Sequence, residues 1–240
     1  MSVNLPKTLF TPENVMKKND INLTAPMTAR RRRNMIDFVE AARELILAEG
    51  LDSLSIRKIA SVAGYNSATI YNYFEDLAHL TLFGCACYLR DYVLALSTSI
   101  SDEMTSIDRF RTIYTCFNEQ AFRYPGIYHN LFFGPHRDLL GRVLHTYYYD
   151  LFPDELTGLS ENLRQMLVSG TMYERDKVTV LEMVRDGYIA PEKADMTQEL
   201  IIAAHQHFIF DAVLMGEKLD IAAHQHRFMV LFEYLLSVAH

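Results

Sequence analysis

The stretch from Ser55 to Phe74 constrains the fold of this chain more than any other part of the sequence. Its first half predicts a short amphipathic helix, because apolar residues recur there at helical spacing. These residues are Ile56, Ile59, Ala60 and Ala63. We expect Gly64 to end this helix, since glycine adopts the left-handed conformation after a helix without steric cost.

A second short helix is predicted to follow almost immediately. Asn66 is a good N-cap, because its side-chain oxygen can accept the free backbone N–H groups of a new helical turn. From Ser67 onward, Ile70 and Phe74 point inward at i, i+4 spacing, and the other faces carry small, polar and aromatic residues. Two short helices joined by a glycine-containing turn predict a helix-turn-helix. A second helix without a long acidic side chain suits insertion into the major groove of DNA.

The pattern I-A-x-x-A-G-Y-N-x-A-T-I-Y-N-Y-F resembles the DNA-binding signature of TetR-type bacterial transcriptional regulators. The resemblance runs from about Met35 to Leu80, roughly a fifth of the chain. It implies an all-α protein with an N-terminal three-helix DNA-binding domain and a C-terminal helical domain for ligand binding and dimerisation. The family usually places a lysine for a DNA phosphate shortly after the last Phe, where this chain has Leu77. Either another cation makes that contact or the affinity for DNA is modest.

The charge distribution agrees with a DNA-binding N-terminus although the whole chain has a net charge of −7. Residues 1–80 contain 10 Lys and Arg against 9 Asp and Glu, whereas the remainder contains 13 against 21. The acidic excess therefore lies in the part that is not expected to touch DNA. There it discourages non-specific docking on a polyanion.

Three segments are predicted: a flexible N-terminal arm over residues 1–27, the DNA-binding domain over residues 28–80 and the helical domain over residues 81–240. The run Arg30–Arg33 is expected to contact phosphates or the minor groove, although such runs are often only a solvated helix start. We expect phosphate contacts from Arg57, Thr69 and Tyr71, and base-edge contacts from the recognition helix. The full set of predicted DNA-binding residues is Arg30, Arg31, Arg32, Arg33, Ser55, Arg57, Asn66, Ser67, Ala68, Thr69, Tyr71, Asn72 and Tyr73.

Helices are predicted throughout, with breaks at Pro and Gly. A first helix runs from Pro26–Thr28 to Gly50 and packs across the helix-turn-helix, and a long one from Asp76 to about Ser101 links the two domains. The remaining predicted helices are Ser106–Arg123, Tyr128–Phe133, Arg137–Phe152, Ser160–Asp186, Pro191–Met215 and Leu219–Ala239.

The resemblance implies a small-molecule effector in the C-terminal domain, and the aromatic residues with polar tips there fit an apolar pocket. Aromatic residues at helical spacing are more often simply core. His207 and Asp211 share one helix face at i, i+4, and either point into a cavity or form a structural hydrogen bond. The predicted effector-binding residues are Tyr114, Asn118, Phe122, Tyr128, His129, Phe132, Tyr148, Tyr173, His207 and Asp211.

A homodimer is predicted because Phe228–Leu236 is apolar nearly all round and must be covered on more than one side. The resemblance implies a two-fold four-helix interface, and two-fold symmetry would let two recognition helices read a pseudo-palindromic operator. The predicted interface residues are His205, Phe208, His224, Phe228, Leu231, Phe232 and Leu235. No metal is expected, because the His-x-His pairs at 205/207 and 224/226 diverge on a helix.

The sequence contains no phosphate-binding loop and no hydrolase or metalloprotease motif, so neither an enzyme nor a cofactor is expected. Three cysteines predict reduced thiols in the cytoplasm, and neither a secretory signal nor a membrane span is expected. The function predicted is a repressor of transcription that leaves its double-stranded DNA operator when a small, apolar or aromatic effector binds. The alternatives are an activator or co-regulator, or a helical interaction module with weak or lost DNA binding, which Leu77 favours.

Overall fold

The computed structural model describes residues 26–101, 103–159 and 161–239. These residues are helical and contain no strand, which confirms the predicted all-α fold class. Most of the predicted N-terminal arm lies outside the described residues. The α-helices of the described part are α1 (Ala29–Glu49), α2 (Ile56–Ala63), α3 (Ser67–Ile70), α4 (Leu77–Cys85), α5 (Tyr88–Ser99), α6 (Ser106–Arg123), α7 (Pro125–Phe133), α8 (Leu140–His145), α9 (Glu161–Val168), α10 (Met172–Arg185), α11 (Ala194–Met215) and α12 (Ile221–Ser237).

The helix-turn-helix forms with the predicted local signals. The Ser55 hydroxyl caps α2 by accepting from the Lys58 backbone N–H at 3.2 Å. Gly64 ends α2 in the left-handed conformation with φ of 76°, where a side chain would be strained. The Asn66 side chain then caps α3 by accepting from the Ala68 N–H at 2.9 Å. The predicted junction between the two helices is confirmed, but the predicted continuation of the second helix to Phe74 is wrong, because α3 ends at Ile70 and a turn follows it.

A shared core fixes the helix-turn-helix against α1, which packs on both α2 and α4. Phe38 of α1, Ile59 of α2 and Ile70 of α3 have no exposed surface. Phe74 is equally buried, and its ring meets that of Phe38 edge-on at 6.3 Å. The recognition helix therefore keeps its angle to α1 through apolar packing, as predicted.

The predicted helix from Asp76 to Ser101 forms over Leu77–Ser99, but a turn at Ala86 and Cys87 divides it into α4 and α5. The backbone N–H of Leu89 bonds to the Ala86 carbonyl at i+3 spacing, and the Tyr148 hydroxyl donates to the same carbonyl at 2.8 Å. The Tyr128 hydroxyl similarly donates to the Tyr88 carbonyl at 3.2 Å. These tertiary contacts stabilise a turn that no Gly or Pro marks in the sequence.

Two further predicted helices are also interrupted. The segment Ser160–Asp186 divides into α9 and α10, because Thr171 and Glu174 form a capping box that starts a new helix. The segment Arg137–Phe152 contains a 3₁₀ turn, α8 and a π-helix over Thr146–Leu151. The predicted end of α6 at Arg123 is confirmed, but α7 begins at Pro125 rather than at Tyr128, because proline is accommodated in the first helical turn.

The C-terminal helices surround α6, which packs against α5, α10 and α12, while α7 lies between α4 and α11. We refer to α5–α12 as the helical body. The helical stretch Leu77–Ser99 is long and apolar enough to cross a membrane by length and composition alone. However, 61% of the apolar window is buried inside the fold, as in core helices, which meet the same criterion.

Candidate nucleic-acid interface and helical body

The outer face of the recognition helix is open to solvent. Tyr71 is 54% exposed, and Ala68 and Asn72 are exposed as well. Ser67 and Thr69 are partly exposed on the same short helix. The face offers hydroxyl, amide and phenol groups but no carboxylate, so it can approach both phosphates and base edges.

Tyr73 braces the recognition helix against α1. Its hydroxyl accepts a hydrogen bond from Asn34 Nδ2 at 2.6 Å, and the Arg31 guanidinium lies 5.3 Å from the centre of its ring. Arg31 also donates to the Asn72 carbonyl at 3.3 Å, and its partial burial lowers its pKa. Tyr73 and Arg31 were predicted to contact DNA, and the structure places both in contacts that orient the recognition helix.

The arginine run does not act as one exposed cluster. Arg30, Arg32 and Arg33 are exposed and Arg31 is partly buried, but within the described part of the chain only Arg30 and Arg33 have no hydrogen bond that ties them to another helix or turn. Arg32 donates from Nε to the Asp150 carbonyl at 2.5 Å and from Nη2 to the Leu151 carbonyl at 2.7 Å. These carbonyls lie at the C-terminal end of the π-helix, where helix carbonyls lack partners and favour a cation. Arg32 therefore joins α1 to the helical body.

The other predicted DNA-binding residues divide by role. The Ser55 and Asn66 side-chain oxygens are engaged as helix caps, so they position α2 and α3. Arg57 is exposed on the first turn of α2. Lys58, which is not among the predicted DNA-binding residues, is exposed beside Arg57 and forms a salt bridge with Glu49 at 2.7 Å. The sequence feature that could have identified Lys58 is its position directly after Arg57, as a second cation on the first turn of α2.

Leu77, at the position of the expected lysine, is the first residue of α4 and packs partly buried against the core. Asp76 caps this helix by accepting from the His79 backbone N–H at 2.8 Å. His136 Nε2 lies 3.0 Å from both carboxylate oxygens of Asp76. Burial lowers the pKa of His79 to about 4, so its neutral ring accepts from the Glu75 backbone N–H at 3.2 Å. This position is a junction with the helical body.

The comparison with protein families agrees with this geometry. Residues 38–80 match the family described as bacterial regulatory proteins, tetR family. The match identifies residues 38–80 of this chain as a TetR-type DNA-binding segment. The matched segment spans the buried core of α1, both helices of the helix-turn-helix and the start of α4. Regulators of this family bind DNA, and the exposed recognition helix is the part of this chain suited to do so.

Three solved structures are similar to this chain. A tetR family transcription regulator from Shewanella sp. PV-4 is 14% identical with a TM-score of 0.44, covering 83% of this chain and 95% of its own. A TetR-family transcriptional regulator from Haemophilus influenzae is 16% identical with a TM-score of 0.41, at 84% and 97% coverage. A TetR family protein from Vibrio parahaemolyticus is 19% identical with a TM-score of 0.41, at 85% and 97% coverage. No curated protein matches the chain.

Most of the aromatic residues predicted to bind an effector form packed core in the helical body. Three of their hydroxyls bond inside the protein: Tyr114 donates to Asp176 at 2.6 Å, and Tyr128 and Tyr148 donate to the backbone carbonyls at the α4–α5 turn. The predicted residues that are buried are Tyr114, Asn118, Phe122, Tyr128, Phe132 and Tyr148. A packed core of this kind has to rearrange before it admits a ligand.

The remaining predicted effector residues lie nearer the surface. His129 is partly buried, and Tyr173 is 42% exposed. His207 is exposed, whereas the Asp211 carboxylate lies 4.0 Å from Nδ1 of His224. The inward-pointing His207–Asp211 pair considered from the sequence is therefore not formed.

A small void lies inside the body beside a buried ionisable group. Its volume is about 10 Å³, and its lining includes Tyr114, Phe117, Arg175 and Asp176. Burial raises the pKa of Asp176 to about 7. Arg175 is held at the end of α9, where it donates to four backbone carbonyls, including that of Ser169 at 2.6 Å.

The predicted dimer residues are mostly covered by their own chain. His205, Phe208, His224, Phe228 and Phe232 are between 0% and 6% exposed, so they offer no surface to a partner, and their assignment to an interface is wrong. Leu231 and Leu235 are partly exposed. The large apolar side chains that α11 and α12 do expose are Met196, Leu200, Phe210, Val213, Leu214, Met215, Ile221, Val230 and Tyr234. The all-round apolar pattern indicated a second covered side but not which residues face it.

The cysteines and histidines show no arrangement for metal binding within the described residues, where no group of three or more His, Cys, Asp or Glu could hold a metal ion. Cys85 and Cys116 are buried and Cys87 is partly buried, all as free thiols. Burial raises the pKa of Cys87 to about 11, which keeps it protonated and unreactive at neutral pH.

Proposed function

We propose that this protein is a homodimeric repressor that binds a pseudo-palindromic operator and is released by a small, largely apolar or aromatic effector. The observation that supports DNA reading most directly is the exposed surface of α3 and the turn after it, with Ala68, Tyr71 and Asn72 outward and Tyr73 anchored to α1. A recognition helix must be held at a fixed angle before its side chains can distinguish bases.

The proposed contacts follow from exposure. Arg30, Arg33 and Arg57 are exposed cations and would bind phosphates, together with Thr69 and Tyr71. Base edges would be met by the exposed residues of α3 and by Asn72 in the turn after it, whose amide can pair bidentately with adenine. In this arrangement the exposed arginines replace the phosphate contact that Leu77 cannot make.

The proposed homodimer would use the exposed apolar side chains of α11 and α12. Phe210 is 48% exposed and Leu214 is 70% exposed on α11, while Val230 and Tyr234 are 57% and 62% exposed on α12. Several large apolar side chains exposed on neighbouring helices are typical of a protein interface. Two-fold pairing there would present two recognition helices to two half-sites.

Three contacts connect the DNA-binding helices to the helical body and would carry the effector's signal. Arg32 bonds to the end of the π-helix, and His136 bonds to Asp76 at the start of α4. Arg43 of α1 donates to the Tyr147 hydroxyl at 2.9 Å and to Glu155 at 3.0 Å. An effector that binds one arrangement of the body more tightly would shift the position of α1, and hence the separation of the recognition helices.

The proposal is tested by fluorescence anisotropy against DNA that flanks the protein's own gene, at two salt concentrations. We expect sequence-selective binding that weakens with salt, and weakens further when Arg30 and Arg33 are changed to alanine. Arg185→Ala removes an exposed cation from the body and serves as the matched control, which should bind as the original protein does. If no DNA in a random operator library is selected, the repressor proposal fails and the interaction-module alternative stands.

A further inference from the structure

The sequence repeats Ile-Ala-Ala-His-Gln-His in α11 and α12, and the first histidine of each copy is buried. The two histidines have different surroundings. His224 is satisfied, because its Nε2 lies 2.9 Å from the Phe208 carbonyl. Neither ring nitrogen of His205 has a hydrogen-bond partner, although the residue is 0% exposed.

His205 lies in a box of aromatic rings. The centre of its ring is 4.9 Å from Phe117, 5.4 Å from Tyr114 and 4.8 Å from Phe228. Burial lowers the pKa of His205 to about 3, so the ring is neutral at physiological pH. A neutral imidazole offers one N–H donor and one acceptor nitrogen, and both are unused here.

A second buried polar side chain also has an atom that lacks a hydrogen-bond partner. Asn118 of α6 is 0% exposed, its Oδ1 has no partner, and its Nδ2 reaches only the Met229 sulfur at 3.9 Å. Phe122 lies one helical turn after Asn118 on the same face of α6, and its ring centre is 6.3 Å from that of His205, so Asn118 and His205 border one aromatic layer. Buried polar atoms without partners oppose folding, and natural cores contain few of them.

The chemistry of these groups indicates the kind of molecule that would satisfy them. The aromatic box favours a flat apolar ligand, and the neutral imidazole and amide offer no counter-charge for an ion. The void beside Tyr114 and Phe117 has room for about one water, so a ligand must displace side chains as it enters. Binding would therefore be coupled to a rearrangement of the body.

Building on the proposed effector function, we propose that His205 and Asn118 are the polar recognition residues for an uncharged aromatic ligand that bears a hydroxyl or carboxamide group. The ligand's donor would bond to Asn118 Oδ1 or to the acceptor nitrogen of His205. Its oxygen would accept from the imidazole N–H. The surrounding rings would contact its apolar faces.

The proposal is tested by thermal unfolding with shape-matched probe pairs at equal free concentration: phenol with toluene, and benzamide with isopropylbenzene. We expect phenol or benzamide to raise Tm more than its apolar counterpart does. This difference should disappear in His205→Phe and in Asn118→Leu. Equal shifts from both members of each pair, or no shift from any probe, would overturn the proposal.

Stability without a probe separates recognition from a structural role. His205→Phe and Asn118→Leu should be at least as stable as the original protein in denaturant, because each removes an unpaired polar group. His224→Phe is the matched control and should be less stable, since it loses the bond to the Phe208 carbonyl. If His205→Phe and Asn118→Leu were destabilised as strongly as His224→Phe, both groups would be structural and the proposal would fail.

The same variants distinguish this inference from the proposed function on which it rests. Without a probe, His205→Phe and Asn118→Leu should bind operator DNA as the original protein does. A chain that shows the probe difference but selects no DNA would refute the repressor and retain the recognition site. A chain that binds DNA without a probe difference would refute only the recognition site.

Discussion

Nε of Arg32 donates a 2.5 Å hydrogen bond to the backbone carbonyl of Asp150, 118 residues further along the chain. This bond joins the first helix of the DNA-binding part to the end of the π-helix in the body. It also takes one cation out of a run of four that the sequence presents as equivalent. The position of α1 is thus sensitive to the geometry of the body.

The arginine run should respond unequally to substitution. Arg33→Ala removes an exposed cation, so we expect weaker DNA binding and a decrease of about one in the slope of log K against log salt. Arg32→Ala breaks bonds to two carbonyls, so we expect a loss of about 1–3 kcal/mol in the free energy of unfolding and an unchanged slope. Anisotropy at several salt concentrations and urea unfolding measure the two effects. Equal salt slopes for both variants would contradict the assignment of Arg33 to DNA binding and of Arg32 to the contact with the body.

Tyr71 and Asn72 should differ in what they contribute to DNA binding. Tyr71 is exposed and is proposed to contact phosphate, so Tyr71→Ala should weaken binding to all sequences alike. Asn72→Ala should instead relax the preference at one base pair, where a good bidentate pair contributes about 1–3 kcal/mol of discrimination. Selection from an operator library with each variant measures this. A uniform loss for Asn72→Ala would remove it from the base-reading residues.

Tyr73→Phe should affect stability more than sequence preference. The substitution removes the bond between the Tyr73 hydroxyl and Asn34 Nδ2 but keeps the ring beneath Arg31. We expect a loss of about 1 kcal/mol in the free energy of unfolding, measured with urea. Tyr71→Phe is the matched control, because that side chain is exposed and should leave stability unchanged. An altered operator preference for Tyr73→Phe would instead assign its hydroxyl to DNA.

Asp176 should make stability depend on pH. Burial raises its pKa from the ordinary 3.8 to about 7 in the folded protein, so the folded state holds its proton more tightly. The stability that this group contributes is full below about pH 4 and is lost as pH rises to about 7, by at most about 1.4 kcal/mol per pH unit.

Asp176→Asn should remove this loss while keeping an oxygen that accepts from the Tyr114 hydroxyl. The variant's gain in free energy of unfolding over the original protein should therefore grow from pH 4 to pH 7. The lowered pKa of His205 acts in the opposite direction in acid, but equally in both proteins. Urea unfolding at four pH values measures the difference. A gain that is the same at every pH would show that Asp176 titrates normally.

Local sequence chemistry determined the DNA-binding part. Ser55, Gly64 and Asn66 are caps and turn residues whose preferences arise from their own backbone and side-chain geometry. The i, i+4 spacing that buries Ile70 and Phe74 is also a local feature of the sequence. For this reason the start of each helix and the turn between them could be predicted, and the family match covers the same segment. The end of α3 at Ile70 was not predicted, because the apolar spacing continues to Phe74.

Only the tertiary structure decided which arginines and histidines have internal partners and where the helices of the body are interrupted. These features depend on contacts between residues that lie far apart in the sequence. Nothing local distinguishes Arg32 from Arg33, or His205 from His224, and only the packed body shows that one of each pair has an internal partner. The α4–α5 turn is likewise set by the Tyr148 hydroxyl. Helical periodicity identifies a buried face, but whether the protein's own chain or a second copy covers that face depends on how the helices are arranged in three dimensions.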